Sequence, residues 1–274
     1  MAKTVLITRF KLDDKKDIIP FREWVSVFTE SEEIDRVYII CKENDVKNLK
    51  KMKFMELKNK NKILFRPHDE PTSPTAMNLI IRKDFLKETP QFFIIASKEI
   101  VDIKNTNIHT LVTEIESNSS LLAVGYKFKI FNGIKLDTEL GEKYKNKDLV
   151  AYYVPWNTCA IWDYKWFKAY VVKFDEITDT NPFCPVCVTI DGECSQTPHR
   201  GMEDGLAIAK AVSKEHSLKY KLIGINHDTP LWRVNPNKIL EHRQKLARKD
   251  IVLRNFMAIR GYSVEDLENS NISN

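Results

Sequence analysis

The chain has 274 residues, 43% of them hydrophobic and 30% charged, and this is the composition of a globular domain rather than of a disordered chain. No stretch approaches the ~20 apolar residues of a membrane-spanning helix. The apolar run after the N-terminal Met-Ala-Lys is too short for a signal peptide. We therefore expect a cytoplasmic protein, in which the five cysteines are free thiols or metal ligands rather than disulfides.

Strand and helix patterns alternate over the first 125 residues. Short apolar runs predict strands at 5–7, 36–41, 62–66 and 91–96. Helix patterns lie between and after them, at 21–28, at 45–52 behind the N-cap Asn44, at 73–85, and from Asn107 onward. This alternation predicts an α/β fold with a mainly parallel sheet and helices on both faces.

The second half of the chain is less regular. It carries strand patterns within 121–131 and at 158–162 and 218–223, and helix patterns at 203–216 and 238–260. Residues 174–200 contain three Pro and three Cys and predict a long structured loop. The Asn- and Ser-rich last six residues predict a disordered end.

Polar side chains follow the predicted strands, at the edge where open α/β sheets bind ligands. The strand ends carry Thr8-Arg9-Phe10, Lys42-Glu43-Asn44, residues 66–72 and Ser97-Lys98-Glu99. Thr8-Arg9-Phe10 also suits a simple turn, and Asn44 could simply cap a helix.

Three segments give the chain a resemblance to the GT-A glycosyltransferases, especially their large family 2. They are Thr75-Ala76-Met77-Asn78-Leu79 before the fourth strand, Asn157-Thr158-Cys159-Ala160-Ile161-Trp162, and Gly201-Met202-Glu203-Asp204 at a helix start. The resemblance implies a Rossmann-like glycosyltransferase domain over residues 1–232, with a nucleotide-binding half (1–125), an acceptor half (126–232), and a C-terminal helical extension (233–274). It also places Asn78 near the nucleotide-sugar donor and the nucleotide base at Thr8-Arg9-Phe10, where Phe10 could stack on the base and Arg9 could contact a phosphate. By the same resemblance Glu43 could contact the base or the ribose.

The acidic pair Glu203-Asp204 is the expected catalytic motif. The resemblance implies that Asp204 takes a proton from the incoming hydroxyl and that Glu203 binds the acceptor. The alternative is that two acids in the first turn of a helix only complement the helix dipole.

The chain departs from the family where an Asp-x-Asp motif normally holds a divalent metal on the donor diphosphate. Here the sequence reads Ser97-Lys98-Glu99. In one alternative Ser97 and Glu99 share a strand face and keep a weakened Mn²⁺ or Mg²⁺ site, joined by His227 from the loop after the last strand. In the other, Lys98 turns inward and supplies the positive charge itself.

A second metal site is suggested by a cluster in the predicted loop. Cys184, Cys187, Cys194 and His199 have the ligand types of a tetrahedral structural zinc site. Their spacing matches no common zinc motif, and chance clustering in an acceptor loop is the alternative.

The helix at 238–260 carries most of the net charge of +5, with Lys and Arg around an apolar stripe of Ile239, Leu246, Leu253 and Met257. Packing on the protein's own body or on a second copy in a homodimer is favoured over peripheral contact with a membrane. Because the remaining body is close to neutral, nucleic acid is not expected as a partner.

Together these features predict a hexosyltransferase-like enzyme that moves a sugar from a nucleotide-diphosphate donor to a hydroxyl acceptor, with a degenerate Asp-x-Asp motif. The alternative is a non-catalytic GT-A-like protein that binds a nucleotide or a sugar.

Overall fold

The computed structural model describes residues 3–12, 17–51, 54–81, 89–128, 154–175, 189–190, 193–194, 202–233 and 239–273. The strands are β1 (Thr4–Arg9), β2 (Arg36–Cys41), β3 (Ile63–Pro67), β4 (Phe92–Ala96), β5 (Ile100–Val101), β6 (Leu121–Tyr126), β7 (Cys159–Asp163), β8 (Thr189–Ile190), β9 (Glu193–Cys194), β10 (Lys219–Ile223) and β11 (Leu231–Trp232). The α-helices are α1 (Ile18–Glu30), α2 (Glu43–Lys51), α3 (Pro74–Ile81), α4 (Asn105–Glu116), α5 (Tyr164–Trp166), α6 (Glu203–Val212), α7 (Ile239–Arg260) and α8 (Val264–Ser270).

A seven-stranded sheet in the order β10-β6-β7-β4-β1-β2-β3 forms the centre of the molecule. All its pairings are parallel except those of β7, which runs against both β4 and β6. Every residue of β4 and β6 is buried. Because successive side chains of a strand point to opposite faces, this means that both faces of the sheet are covered. The predicted α/β class with a mainly parallel sheet is confirmed.

The apolar side chains of helix α1 form part of the hydrophobic core, as their spacing predicts. Phe21, Trp24, Val25 and Phe28 repeat at helical intervals, and all four are buried. The Phe21 ring stacks on that of Phe10, just beyond β1, with ring centroids 4.2 Å apart. Each such side chain contributes roughly 1.5–3 kcal/mol when it leaves water, so the pattern is sufficient to fix this helix on the sheet.

The C-terminal helices pack on the rest of the described chain. Leu246, Leu253 and Met257 of α7 are buried as predicted, and residues 250–253 are buried in succession. Arg254, expected on the basic surface of this helix, is instead buried, and its Nε donates to Oδ2 of Asp250 at 2.7 Å. The pairing with an acid one turn away allows the guanidinium to leave water.

Three local predictions are corrected by the structure. Helix α2 begins at Glu43, so Asn44 lies within it rather than capping it, and α4 begins two residues before Asn107. The end of the chain is ordered through residue 273. Ile272 N donates to the carbonyl of Tyr220 at 3.0 Å, which adds the tail to the open edge of β10. The unpaired edge of a strand is a ready partner for extended backbone.

Within the ranges given above, no helix is both long and apolar enough to cross a membrane. The domain boundary at residue 232 stays a prediction.

Candidate active site

A cavity of about 450 Å³ opens at the edge of the sheet where the parallel strands end. Arg9 ends β1 at this edge, and Ser97, Lys98 and Glu99 follow β4 there. The rest of the described lining consists of Lys11, Thr72, Trp156, Asn157, Thr158, Glu203, Asp204, Trp232, Leu246 and Lys249. This is the edge at which ligands bind in open α/β sheets.

The reversed direction of β7 brings a distant segment to this edge. Because β7 is antiparallel to β4, its first residue, Cys159, pairs with Ala96 at the end of β4. Ser97 N continues the pairing and donates to the carbonyl of Thr158 at 2.9 Å. The residues that precede β7 therefore lie directly beside the residues that follow β4.

A small second sheet supplies an aromatic wall. β11 pairs antiparallel with β5, which sets Trp232 opposite Ile100. The indole Nε1 of Trp232 donates to Oε2 of Glu99 at 3.2 Å. The Trp156 ring meets the Trp232 ring edge-on at 5.5 Å. The cavity thus has an aromatic side next to its charged side.

The acidic pair at the start of α6 lines the cavity with unequal exposure. Asp204 is 3% exposed, while Glu203 is half-buried. Asp204 accepts from Asn157 N at 2.8 Å through Oδ2 and from Gly205 N at 2.9 Å through Oδ1. Two backbone donors therefore fix the orientation of this carboxylate and leave further lone pairs on both oxygens.

The pKa of Asp204 is shifted towards neutrality. Burial raises the pKa of the carboxyl to about 6, and the negative charge of Glu203 adds to the rise. The two backbone donors and the ammonium of Lys249 act in the opposite direction. A carboxylate with such a pKa can accept a proton near neutral pH more readily than an exposed one.

Asn157 carries an unsatisfied donor at this site. Its Oδ1 accepts from the indole Nε1 of Trp162 at 3.1 Å, and because an indole can only donate, the amide orientation is fixed. Its Nδ2 is buried and has no hydrogen-bond partner among the described residues. An orphaned buried donor costs about 1–3 kcal/mol, so an acceptor atom from a bound molecule would be stabilised here.

Among the described residues of the cavity wall, cationic side chains outnumber carboxylates. Arg9, Lys11, Lys98 and Lys249 face three carboxylates, those of Glu99, Glu203 and Asp204. The wall therefore favours an anionic ligand.

Six of the predicted site residues line the cavity, namely Arg9, Ser97, Lys98, Glu99, Glu203 and Asp204. Four others have different surroundings. Thr8 and Phe10 are buried beneath this edge, and Glu43 is exposed in the first turn of α2. The side-chain amide of Asn78 exchanges two hydrogen bonds with the backbone of Phe174, at 2.6 and 2.7 Å. The donor-binding roles assigned to these four stay predictions.

Residues 97–99 are a turn and not the end of a strand. β4 stops at Ala96, and Ile100 N donates back to the carbonyl of Ser97 at 3.0 Å. The strand alternation that would set Lys98 opposite Ser97 and Glu99 therefore does not apply, and all three residues line the cavity. This corrects the premise on which a shared Ser97 and Glu99 face was predicted.

His227 lies in a loop after β10 and is not among the residues that line the cavity. Its side chain is 90% exposed, and its Nε2 is 3.2 Å from the carboxylate of the adjacent Asp228. Within the described ranges, no three His, Cys, Asp or Glu side chains are grouped as a metal site requires. The predicted pairing of Glu99 with His227 on a divalent ion gains no support from these positions.

The proposed zinc ligands cannot be placed. Cys184, Cys187 and His199 lie outside the described residues, and for Cys194 only the backbone, in β9, is described. Zinc binding stays a prediction.

Several residues of the cavity wall were not predicted from the sequence as site residues. Trp156 stands next to the recognised Asn157 segment, and that position is a signal that could have been used. Trp232 had no such signal, because only the β5–β11 pairing brings it to Glu99. Lys249 was assigned to a basic helix surface, yet it reaches the acidic pair.

Comparison with known proteins gives structural matches only. No family model matches the sequence, and no curated protein matches it. The mannosyltransferase of Pyrobaculum calidifontis, solved with GDP-mannose and Mn²⁺, superposes with a TM-score of 0.63 at 10% identity, over 97% of this chain and 69% of that one.

Two further structures show the same likeness at lower scores. Glucosyl-3-phosphoglycerate synthase of Mycobacterium tuberculosis, solved with Mn²⁺, UDP and glucosyl-3-phosphoglycerate, has a TM-score of 0.52 at 9% identity, over 96% of this chain and 81% of that one. The 4-diphosphocytidyl-2C-methyl-D-erythritol synthase of Anaerococcus prevotii has a TM-score of 0.51 at 9% identity, over 89% of this chain and 96% of that one. The chain therefore shares the GT-A fold of these structures.

Proposed function

We propose that this chain, on its GT-A fold, is a glycosyltransferase that moves a sugar from a nucleoside-diphosphate donor to a hydroxyl acceptor in the cavity at the sheet edge. The observation that carries the proposal is the meeting of cations and an oriented carboxylate in one cavity. Arg9 and Lys98 come from the ends of neighbouring strands, and Asp204 faces the same space from the start of α6. The fold likeness to two sugar-transferring enzymes supports it.

The chemistry requires a proton acceptor and a stabilised leaving group. The acceptor oxygen forms a bond to the anomeric carbon, while the bond between that carbon and the diphosphate oxygen breaks. Asp204 takes the proton of the acceptor hydroxyl, for which its raised pKa and its two backbone donors prepare it. Glu203, more exposed on the same wall, binds the acceptor.

The unsatisfied amide of Asn157 fits this assignment. Its Nδ2 needs an acceptor, and hydroxyl and phosphate oxygens of a nucleotide sugar are acceptors. Asn157 also connects directly to the proposed base, because its backbone N–H donates to Asp204. A bound substrate would therefore contact Asn157, the residue whose backbone N–H orients the Asp204 carboxylate.

A two-stage experiment tests the proposal. Thermal shift with UDP, GDP, CDP and ADP and their common sugar conjugates identifies a nucleotide, because a ligand of the native state raises the melting temperature. The sugar conjugate of that nucleotide is then incubated with candidate hydroxyl acceptors, and release of the nucleoside diphosphate is measured. Binding with acceptor-dependent release supports the glycosyltransferase. Binding without release for any acceptor would favour the non-catalytic alternative, and no binding at all would contradict both.

A further inference from the structure

The residues that stand where the fold family holds a divalent metal do not suit one. Mn²⁺ and Mg²⁺ prefer several hard oxygen ligands, whereas the turn after β4 offers a single carboxylate. Oε2 of that carboxylate, on Glu99, accepts from the Trp232 indole. The Ser97 hydroxyl lies 3.3 Å from Glu99 N and accepts from it. Both oxygen-bearing side chains of the turn thus already accept hydrogen bonds from the protein.

The middle residue of the turn is a cation that faces the ends of the strands. Nζ of Lys98 lies 5.2 Å from the centre of the Phe10 ring, just beyond β1, and 4.0 Å from Oδ2 of Asp17. The side chain is about one-third exposed and lines the cavity, and its ammonium forms a long ion pair with Asp17. An ammonium beside the proposed ion position would repel a divalent cation and attract a phosphate.

Arg9 supplies a second cation on the neighbouring strand. Its Nη1 donates to the carbonyl of Thr72 at 2.8 Å, a contact that holds the guanidinium at the cavity wall. A guanidinium carries five N–H donors, so this one bond leaves donors for a phosphate. β1 and β4 are directly paired in the sheet, and the two cations therefore stand at adjacent strand ends.

We propose that Lys98 and Arg9 bind the donor diphosphate in place of a divalent metal ion, and that Glu99 acts as the hydrogen-bond acceptor that holds Trp232 in the cavity wall. The proposal rests on the proposed function, since it assigns the charge compensation of that same donor site. The departing diphosphate is then stabilised by fixed cations that belong to the chain.

The test measures the affinity of UDP, GDP, CDP and ADP by calorimetry in EDTA and in Mn²⁺, with the four corresponding nucleosides as probes that lack the diphosphate. We expect the tightest diphosphate to bind in EDTA within about threefold of its affinity in Mn²⁺. Lys98→Met keeps the apolar stem over Phe10 and removes the charge. It should weaken binding by about tenfold to a hundredfold, the range of a lost charge-assisted hydrogen bond.

Matched variants separate charge from folding and from metal binding. Lys98→Arg should stay near the wild-type affinity. Lys47→Ala removes an exposed lysine of α2 that does not line the cavity, and it should have no effect. Glu99→Gln keeps an acceptor oxygen for Trp232 and removes a negative charge from the cavity wall, so the diphosphate should bind more tightly in EDTA than it binds to the wild type.

The outcomes distinguish this inference from the proposed function. Nucleotide binding that requires Mn²⁺, or binding unchanged in Lys98→Met, overturns the cation assignment and leaves the glycosyltransferase proposal standing. Absence of diphosphate binding to the wild type, with and without Mn²⁺, overturns both. Metal-independent binding that is lost in Lys98→Met and retained in Lys98→Arg supports the inference.

Discussion

The backbone N–H of Asn157 donates to Oδ2 of Asp204 at 2.8 Å, so the first turn of α6 is tied to the segment that precedes β7. Both partners are buried and both line the cavity. One buried carboxylate therefore has two tasks: it holds the cavity wall in place, and it is the proposed base. Any change at Asp204 must be interpreted with both tasks in view.

Asp204→Asn should abolish most sugar transfer while the protein still folds. The amide cannot accept a proton, and loss of a general base typically costs about 100-fold to 10,000-fold in rate. In the variant, an NH₂ group replaces one carboxylate oxygen and faces a backbone N–H, that of Asn157 or of Gly205. Because one hydrogen bond is lost, the free energy of unfolding should also fall by about 1–3 kcal/mol. Steady-state kinetics and chemical denaturation measure the two effects.

The control for this variant is its retained donor affinity, measured by calorimetry. A protein that binds nucleotide normally and has lost turnover supports the role of Asp204 in the chemical step. Turnover at the wild-type rate would show that the base lies elsewhere.

The rate should depend on pH through the ionisation of Asp204. Because burial raises its pKa to about 6 in the free protein, the active carboxylate form dominates above that pH, and kcat/KM should rise between about pH 5 and 7. Glu203→Gln removes a negative charge that raises this pKa, so the midpoint should move to lower pH. Lys249→Met removes a positive charge that lowers it, so the midpoint should move to higher pH.

Glu203→Gln and Lys249→Met should thus shift the midpoint in opposite directions, and pH profiles of kcat/KM for the two variants and the wild type measure both shifts. Shifts in the same direction, or a profile that does not respond to either variant, would assign the titration to another group.

Gly205→Ala should destabilise the protein through α7. A Cβ at Gly205 would lie 2.7 Å from Cδ2 of Leu253, which is closer than real Cβ contacts come, so Leu253 must move. Overpacking of this kind costs about 1–3 kcal/mol. Leu253→Ala alone should cost about 2–5 kcal/mol because it leaves a cavity. In the double variant the new methyl group partly fills that cavity, so the two costs should sum to more than the measured loss.

Chemical denaturation of the two single variants and the double variant checks this cycle. Strictly additive losses would show that Gly205 and Leu253 are not in contact in the folded protein. A shift of Leu253 would also affect the cavity, because Lys249 lies one turn before Leu253 on α7 and lines the cavity.

The cluster of Cys184, Cys187, Cys194 and His199 is predicted to hold about one zinc ion per chain, since three thiolates and an imidazole suit tetrahedral zinc. Elemental analysis of protein purified without added metal tests this. Cys187→Ser should reduce the zinc content, whereas the same change at buried Cys159 should not. Protein that carries only traces of zinc would favour chance clustering.

Local sequence was sufficient where the structure depends on short-range spacing. The apolar runs at 36–41 and 91–96 predict β2 and β4 to within one residue, because a buried strand needs only a few consecutive apolar side chains. The spacing of Phe21, Trp24 and Phe28 likewise determines which face of α1 enters the core. The polar strand ends were enough to locate the edge at which the cavity opens, since parallel strands finish together.

Contacts between distant segments needed the tertiary structure. One of the two alternatives from the sequence placed Ser97 and Glu99 on a shared strand face, but the chain turns after Ala96 and brings Ser97, Lys98 and Glu99 to the cavity. The hydrogen bond from Trp232 to Glu99 joins residues 133 positions apart, and no local pattern contains it. The antiparallel direction of β7 is likewise contained in no local pattern, because strand direction depends on where the chain returns to the sheet.

The sequence by itself therefore determined the α/β class, the sheet edge at which the cavity opens and the acidic pair at the start of α6, all of which follow from side-chain periodicity and helix-start chemistry within a few residues. Only the tertiary structure decided which charged groups share one cavity. That depends on the pairing of β5 with β11 and on the position of α7, where burial of Leu246 and Leu253 brings Lys249 to the acidic pair. Hydrophobic burial is non-directional and acts between residues at any separation in the chain, so its outcome could not be inferred from local spacing.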